Sequence, residues 1–334
     1  MRILVVGGAG YIGSHMTRML LDEGHETVVI DNLSKGHRDA VPAKVFMKAD
    51  LCNRVLLDTI FSGRRFDGVM HFGACIEVGE SMADPAKYYW NNVAYTLNLL
   101  DAVLKRGVTR VIFSSTAAIF GEPRYVPIDE THPRNAVSPY GRSKWMVEQI
   151  LADYERAYGV RNVCLRYFNA AGAHPSGGLG ERHDPETHLI PRVLQVAAGR
   201  LPSVRVYGTD YDTPDGTCIR DYIHVMDLCR AHLLAMEHLM DGARSRAYNL
   251  GNGSGFSVKE VIDTARRITS CEIPVELDAR REGDPARLVA DSTLARRELG
   301  WRPQYPELDT IIEHAWAWEG VRRSTHRTHV AGHR

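Results

Sequence analysis

Arg2-Ile3-Leu4-Val5-Val6-Gly7-Gly8-Ala9-Gly10-Tyr11-Ile12-Gly13 is the stretch that decides the fold. A short apolar run fit for a buried parallel strand passes straight into a glycine turn, and a helical pattern follows through Leu21. Gly8 and Gly10 let the backbone turn tightly and approach a pyrophosphate. Gly13 lets the helix pack close to the strand, so that the phosphates meet the helix N-terminus. Thr27-Val28-Val29-Ile30 reads as a second strand ending in Asp31, near the distance expected for an acid that binds the adenosine ribose. Its carboxylate would repel a 2′-phosphate, which points to NAD rather than NADP, while Lys35 and Arg38 nearby pull the other way.

Two more apolar runs, Asp67 to Ala74 and Arg110 to Thr116, finish on small or polar residues. In an open parallel sheet, ligands gather at the carboxyl ends of the strands. Farther along, Ser138-Pro139-Tyr140-Gly141-Arg142-Ser143-Lys144 reads as a helix start, with Ser138 as N-cap and Pro139 as first helical residue. Tyr140 and Lys144, four apart, share one face. A free phenol has a pKa of about 10, and an ammonium one turn away is expected to lower it. Thr116 presents a hydroxyl at a strand end toward which Tyr140 also points. The three form a set suited to oxidising an alcohol: Tyr140 takes the proton, Thr116 hydrogen-bonds the oxygen, and Lys144 supports the tyrosine.

The chain has 334 residues with 41 Lys and Arg against 41 Asp and Glu, enough for a large core and with no bulk charge to attract nucleic acid. No apolar run approaches the length of a membrane span, and the first strand begins at residue 2, so a cytoplasmic location is expected. Six cysteines show neither a Cys-x-x-Cys pair nor metal-ligand spacing with histidine; reduced thiols and no metal are the expectation.

Strand-like and helix-like stretches alternate to about Asn169, and then the texture changes. The run from Ala170 to Glu186 is rich in Gly, Pro and His, too long for a simple connection. This places a Rossmann-type, doubly wound α/β domain at 1–170 and a smaller mixed α/β substrate domain at 171–321, with some interleaving allowed. Helix is expected from Leu189 to Ala198 and a strand from Val204 to Tyr207. Residues 322–334 are basic, without apolar period, and read as a disordered tail.

The glycine turn, the Ser114-Ser115-Thr116 strand end and Tyr140-x-x-x-Lys144 together resemble the extended short-chain dehydrogenase/reductase family. The rest of the chain is similar to its UDP-galactose 4-epimerase branch. Matching segments run from Arg2 to about Trp301 and include His71 to Ala74, Val78 to Ser81, Leu165 to Asn169, Arg220 to Val225 and Arg280 to Asp284. The resemblance implies a homodimeric enzyme that holds NAD tightly and interconverts UDP-galactose and UDP-glucose through a 4-keto sugar. It implies that Gly7, Gly10, Tyr11, Ile12 and Gly13 surround the cofactor with Ser114, Tyr140, Lys144 and Tyr167. Asp31 and Asn32 would take the adenosine ribose, Asp50 and Leu51 the adenine, and Asn91 or Asn92 with Phe72, Gly73 and Ala74 the pyrophosphate side. Thr116 stands where serine is common, and Gly73 where alanine is.

For the UDP-sugar, the resemblance places Arg220 and Arg281 on the diphosphate with Asn169. Leu189, Val206 and Tyr207 would lie against uracil, and Tyr222 and Asp284 in the same substrate set. His188 stands where many epimerases carry asparagine. Leu288 would line the hexose pocket, where a large aromatic excludes a 2-N-acetyl group; leucine is intermediate, so UDP-N-acetylhexosamines are also expected as substrates. UDP-pentose and N-acetylhexosamine epimerases are alternatives, as is a nucleotide-sugar dehydratase, which needs an extra acid and base where Ala117 and Ala118 follow Thr116. A simple NAD-dependent dehydrogenase would release reduced cofactor, and a non-enzymatic dinucleotide sensor would have no need of Tyr140, Lys144 and Thr116 together.

Overall fold

A computed structural model describes residues 1–281 and 283–331, with side chains omitted from 322 onward. The chain forms two compact units: residues 1–167, 229–250 and 291–301 in the first, and 168–228, 251–290 and 302–334 in the second. The first break lies close to the boundary read at residue 170. Two later stretches, 229–250 and 291–301, belong to the first unit, an interleaving of the kind the sequence reading allowed.

The first unit is built on a seven-stranded sheet. Its strands are β1 (Arg2–Val6), β2 (Glu26–Asp31), β3 (Phe46–Lys48), β4 (Gly68–His71), β5 (Arg110–Ser114), β6 (Arg161–Tyr167) and β7 (Arg246–Leu250). They lie in the order β7-β6-β5-β4-β1-β2-β3, and every pairing is parallel. This is the doubly wound order, with the chain reversing its direction of winding between β1 and β4. Helices cover both faces of such a sheet, which explains why β1 and β4 read as unbroken apolar runs: Ile3, Leu4, Val5, Val69 and Met70 have no exposed surface. The return of residues 246–250 supplies β7, which pairs with β6 and covers what would otherwise be an open edge.

Two helices matter for the site. α1 (Tyr11–Asp22) follows the glycine turn, and α2 (Pro139–Tyr158) carries Tyr140 and Lys144. The expected cap is present: the Ser138 hydroxyl accepts the Gly141 N–H at 3.1 Å, and Pro139 occupies the first turn, where its missing N–H costs nothing. α2 ends at Gly159, whose φ of 71° is the left-handed conformation that glycine tolerates.

In the second unit, the apolar faces of three helices make the core: α3 (Leu189–Ala197), α4 (Val258–Thr269) and α5 (Leu308–Ala331). Each presents the i, i+3, i+4 pattern, as Ile190, Val193 and Leu194, as Val258, Val261 and Ile262, and as Leu308, Ile311 and Ile312. Complete burial of such a side chain contributes about 1.5–3 kcal/mol. The strands here are short: Asn169–Ala171 pairs with Tyr222–His224, Val204–Tyr207 with Val275–Asp278, and Ile219–Arg220 lies between Phe256–Ser257 and Arg287–Leu288. The expected disordered tail is corrected in part, since α5 continues through residue 331; residues 332–334 lie outside the described residues. Extending a helix already docked by its first turns avoids the cost of nucleating a new one.

Candidate active site

The glycine turn is sterically obligatory at two points. Gly7 has φ of 76°, and a Cβ there would lie 2.5 Å from Gly73 N; a Cβ on Gly13 would lie 2.2 Å from Gly7 O. The loop after β4 therefore packs directly on the turn, with Phe72 N donating to Val6 O at 2.8 Å. Gly10 occupies the N-cap of α1 without any side-chain bond, which leaves the helix N-terminus open to an anionic ligand. Asp31, at the end of β2, accepts the N–H groups of Ala9 at 2.9 Å and Leu33 at 2.8 Å, and burial raises its pKa despite those bonds. Asn32 donates to Asp50 Oδ2 at 2.8 Å, and the Leu51 carbonyl accepts from Asn98 at 2.9 Å. A backbone cradle, an open helix start and a carboxylate at the next strand end fit a dinucleotide.

The set on the other side of the sheet's switch point is equally well defined. Lys144 is 3 % exposed; its Nζ donates to Ser114 O at 2.9 Å and lies 4.8 Å from the Phe113 ring centre. Burial lowers its pKa to about 8. The Thr116 hydroxyl caps the short turn Ala117–Ile119 by accepting Ala118 N–H at 3.1 Å, and it acts on Tyr140 in the direction that favours the phenolate. The hydroxyls of Ser114 and Tyr167 are also bonded to each other. Tyr140 departs from expectation in one respect: its pKa is raised by burial, with the influence of the Thr116 hydroxyl only partly offsetting this. Burial outweighs proximity because the Lys144 ammonium is turned toward the Ser114 carbonyl.

Several supporting interactions escaped the sequence reading, which had Asn92 only as an alternative to Asn91 on the pyrophosphate side. Asn92, 2 % exposed, accepts from Cys75 N at 2.9 Å and donates to Cys75 O and Ser143 Oγ, each at 3.0 Å. It braces the loop after β4 against α2, which leaves Asn91 as the half-buried neighbour. A π-helical turn, Tyr89–Ala94, places it there, and no periodicity announces such a turn. Glu148, one turn after Lys144, forms a bidentate ion pair with Arg166 of β6 (2.5 and 3.0 Å) and accepts from Ser115 Oγ at 2.5 Å, all within 7 % exposure or less. His71 Nε2 lies 2.9 Å from Thr96 Oγ1, and burial depresses its pKa to about 3, so the ring is neutral.

In the second unit, Arg220 donates to the carbonyls of Ile219 (2.9 Å) and Pro285 (2.8 Å) and pairs with Asp284. Leu288 stands beside it in register. The Arg281 guanidinium stacks 3.8 Å from the Tyr207 ring centre, one residue beyond Val206 on the same strand. Asn169 donates to Asp221 O at 3.0 Å, and Tyr222 is buried next in the chain, its phenol pKa pushed up by desolvation. Leu189 opens α3, and His188 is its N-cap residue. Arg220, Asp284, Leu288 and Asn169 thus gather around the segment Ile219–Tyr222. His188 does something else: its Nδ1 lies 2.7 Å from Glu181 Oε1. Glu181, His183, Glu186 and His188, on which the expectation of no metal did not bear, converge so that one donor atom from each lies within 4.8 Å of the others. Carboxylates had been left out of the ligand spacing considered.

The sequence profile of the family described as "NAD dependent epimerase/dehydratase family" matches residues 3–251. A UDP-glucose 4-epimerase of Halalkalibacterium halodurans is 51% identical over 333 residues, covering 100% of this chain and 98% of the relative. The structure of UDP-glucose 4-epimerase from Brucella ovis in complex with NAD superposes with a TM-score of 0.92 at 51% identity, over 94% of this chain and 97% of that one. That of the UDP-Glc/GlcNAc 4-epimerase from Campylobacter jejuni gives 0.85 at 44% identity, over 96% and 99%. With a parallel sheet, an open glycine turn and a Thr-Tyr-Lys set where this family's chemistry requires them, the chain belongs to the NAD dependent epimerase/dehydratase family.

Proposed function

We propose that this protein interconverts UDP-galactose and UDP-glucose by transient oxidation at C4 of the sugar. The observation that carries this reading is the Thr116-Tyr140-Lys144 set on the same sheet edge as the glycine turn, in a chain about half identical to UDP-glucose 4-epimerases along its whole length. Bound NAD would supply the hydride acceptor and donor, held by the glycine turn, Asp31, Asn32, Asp50 and the loop Phe72 to Ala74. Tyr140 takes the C4-hydroxyl proton and later returns it, while Thr116 holds the oxygen. Because burial keeps the free phenol protonated, the positive charge of Lys144 is needed to draw its proton off. Arg220 and Arg281 hold the diphosphate of UDP, with Asn169, Leu189, Val206, Tyr207, Tyr222 and Asp284 contributing to the nucleotide site. Binding energy concentrated on the nucleotide leaves the hexose free to turn and present its other face.

A dehydratase is disfavoured because Ala117 and Ala118 bring no acid or base beside Thr116. UDP-N-acetylhexosamines are included among the substrates, since Leu288 leaves more room than an aromatic residue would. We also infer a cytoplasmic homodimer. Val78, Met82, Trp90 and Met146, each at least 40 % exposed, lie on helical segments of the first unit that pack on one another and offer an apolar face to a second copy. No helix among the described residues is long and apolar enough to cross a membrane. Light scattering giving the mass of one chain would remove the dimer. The reaction is tested by incubating the purified protein with UDP-galactose, UDP-N-acetylgalactosamine and UDP-arabinose in turn, without added NAD, and following C4 configuration by proton NMR. Approach to equilibrium with UDP-glucose is expected; inertness toward UDP-galactose with turnover of either other sugar would reassign the substrate.

A further inference from the structure

The loop 172–188, which leads into α3, brings together two carboxylates and two imidazoles that the proposed reaction does not use. One donor atom from each of Glu181, His183, Glu186 and His188 lies within 4.8 Å of all the others. Nδ1 of His188 is 2.7 Å from Glu181 Oε1 and 3.4 Å from Glu186 Oε1. Nδ1 of His183 is 3.1 Å from Glu181 Oε1 and 3.6 Å from Glu186 Oε2. Both rings thus turn the same nitrogen toward the same pair of carboxylates.

Distance, charge and support agree on what would fill the centre. A tetrahedral ion with bonds near 2.0–2.1 Å places its ligand atoms about 3.4 Å apart, and the four imidazole–carboxylate separations of 2.7–3.6 Å bracket that value, Glu186 meeting one ring through each of its oxygens. The two carboxylate side chains are only 6% and 5% exposed, and a double negative charge so removed from water calls for compensation by a divalent cation or by protons. The Glu181 carbonyl accepts from the Trp318 indole at 3.1 Å, and a Cβ on Gly180 would lie 2.3 Å from that ring, so the backbone bearing the first ligand is held in place. Glu186 Oε1 is oriented by the N–H groups of Thr187 and His188, both at 2.9 Å. The His188 side chain, 45% exposed, leaves an entry path.

We propose that Glu181, His183, Glu186 and His188 form a four-ligand site for a divalent first-row transition metal, Zn²⁺ above all, that pins the loop 172–188 to the start of α3. Two imidazole nitrogens with two carboxylate oxygens suit Zn²⁺ better than Mg²⁺ or Ca²⁺, which take oxygen shells, and four protein ligands make the site structural. The inference is independent of the epimerase reading. To test it, the full-length protein is stripped with dipicolinate and titrated with Zn²⁺ and with Co²⁺, reading metal per chain, visible absorption and melting temperature. One ion per chain, the strong visible bands of tetrahedral Co²⁺ and a rise in Tm of roughly 5 °C at a hundredfold excess over Kd are expected. Glu181→Gln and His183→Gln should each lose the ion and the shift, and Mg²⁺ should give neither. Absence of tetrahedral Co²⁺ bands in the wild-type protein would overturn the proposal whether or not the variants fold, as would unchanged stoichiometry in folded His183→Gln/His188→Gln.

Discussion

The two units hold their functional groups by different means. In the first, reactive side chains project from the ends of regular elements: the glycine turn from β1, Asp31 from β2, Thr116 just beyond β5, and Tyr140 and Lys144 from the first turns of α2. In the second, Arg220 sits on a two-residue strand and Arg281 outside any strand. There, buried carboxylates take over the work of a ladder. Asp221, 1 % exposed, accepts N–H groups from Asn252 (2.7 Å), Gly253 (3.2 Å) and Ala290 (3.1 Å), and Asp227 accepts from Gln304 and Tyr305 at 2.7 and 2.9 Å. Periodic backbone bonding makes a site tolerant of its surroundings, whereas a loop site depends on a few side-chain acceptors.

This contrast can be broken or sharpened by substitution. The largest effect on stability is expected from Glu148→Gln, which leaves the Arg166 guanidinium buried without its counter-charge at about 4 kcal/mol; urea denaturation showing a loss below about 1 kcal/mol would mean that this pair does not tie α2 to β6. Lys144→Met comes next and is a test in pH. Because burial lowers the folded pKa of Lys144 from 10.5 to about 8, the unfolded chain binds more protons between those values. Wild-type stability, measured relative to Lys144→Met, should therefore climb as pH rises from about 8 to 10.5, by roughly 3 kcal/mol in all. Parallel pH curves for the two proteins would contradict the buried ammonium.

In the second unit, Asp221→Asn should cost about 2 kcal/mol, because one amide oxygen must serve three N–H groups while an NH₂ faces them. It should raise KM for the UDP-sugar more than it lowers kcat; the reverse split would place Asp221 with the chemistry rather than with the framework. The smallest effect is reserved for Leu288→Tyr, which should cut turnover of UDP-N-acetylglucosamine about tenfold relative to UDP-glucose by steric exclusion. Equal losses on both sugars would remove Leu288 as the gate.

The same contrast explains what could be read from the sequence. Strand, glycine turn and helix from Arg2 to Leu21, and the Ser138-Pro139 start of α2, are local signals with local causes, and the structure has them in place. The pKa of Tyr140 was misjudged because spacing on a helix says nothing of how deeply the ring is buried or where Lys144 Nζ finds its partner. Glu148 and Asp221, and the bracing role of Asn92, were missed because their partners are between 17 and 69 residues away in the chain. The four metal-ligating side chains lie within eight residues, yet Glu-x-His-x-x-Glu-x-His on a loop has no period, and only the fold closes it on itself.

Central to the whole account is Tyr140 as the proton-transfer group, and Tyr140→Phe removes the hydroxyl with little change in volume. The decisive measurement follows UDP-galactose conversion by proton NMR in wild-type and Tyr140→Phe protein side by side, without added NAD, together with the nucleotide released on denaturation. The account predicts a rate lower by about 10²–10⁴-fold in the variant, with as much NAD released as from wild type. A variant that carries full NAD and retains more than about a tenth of the wild-type rate would show that another group moves the proton.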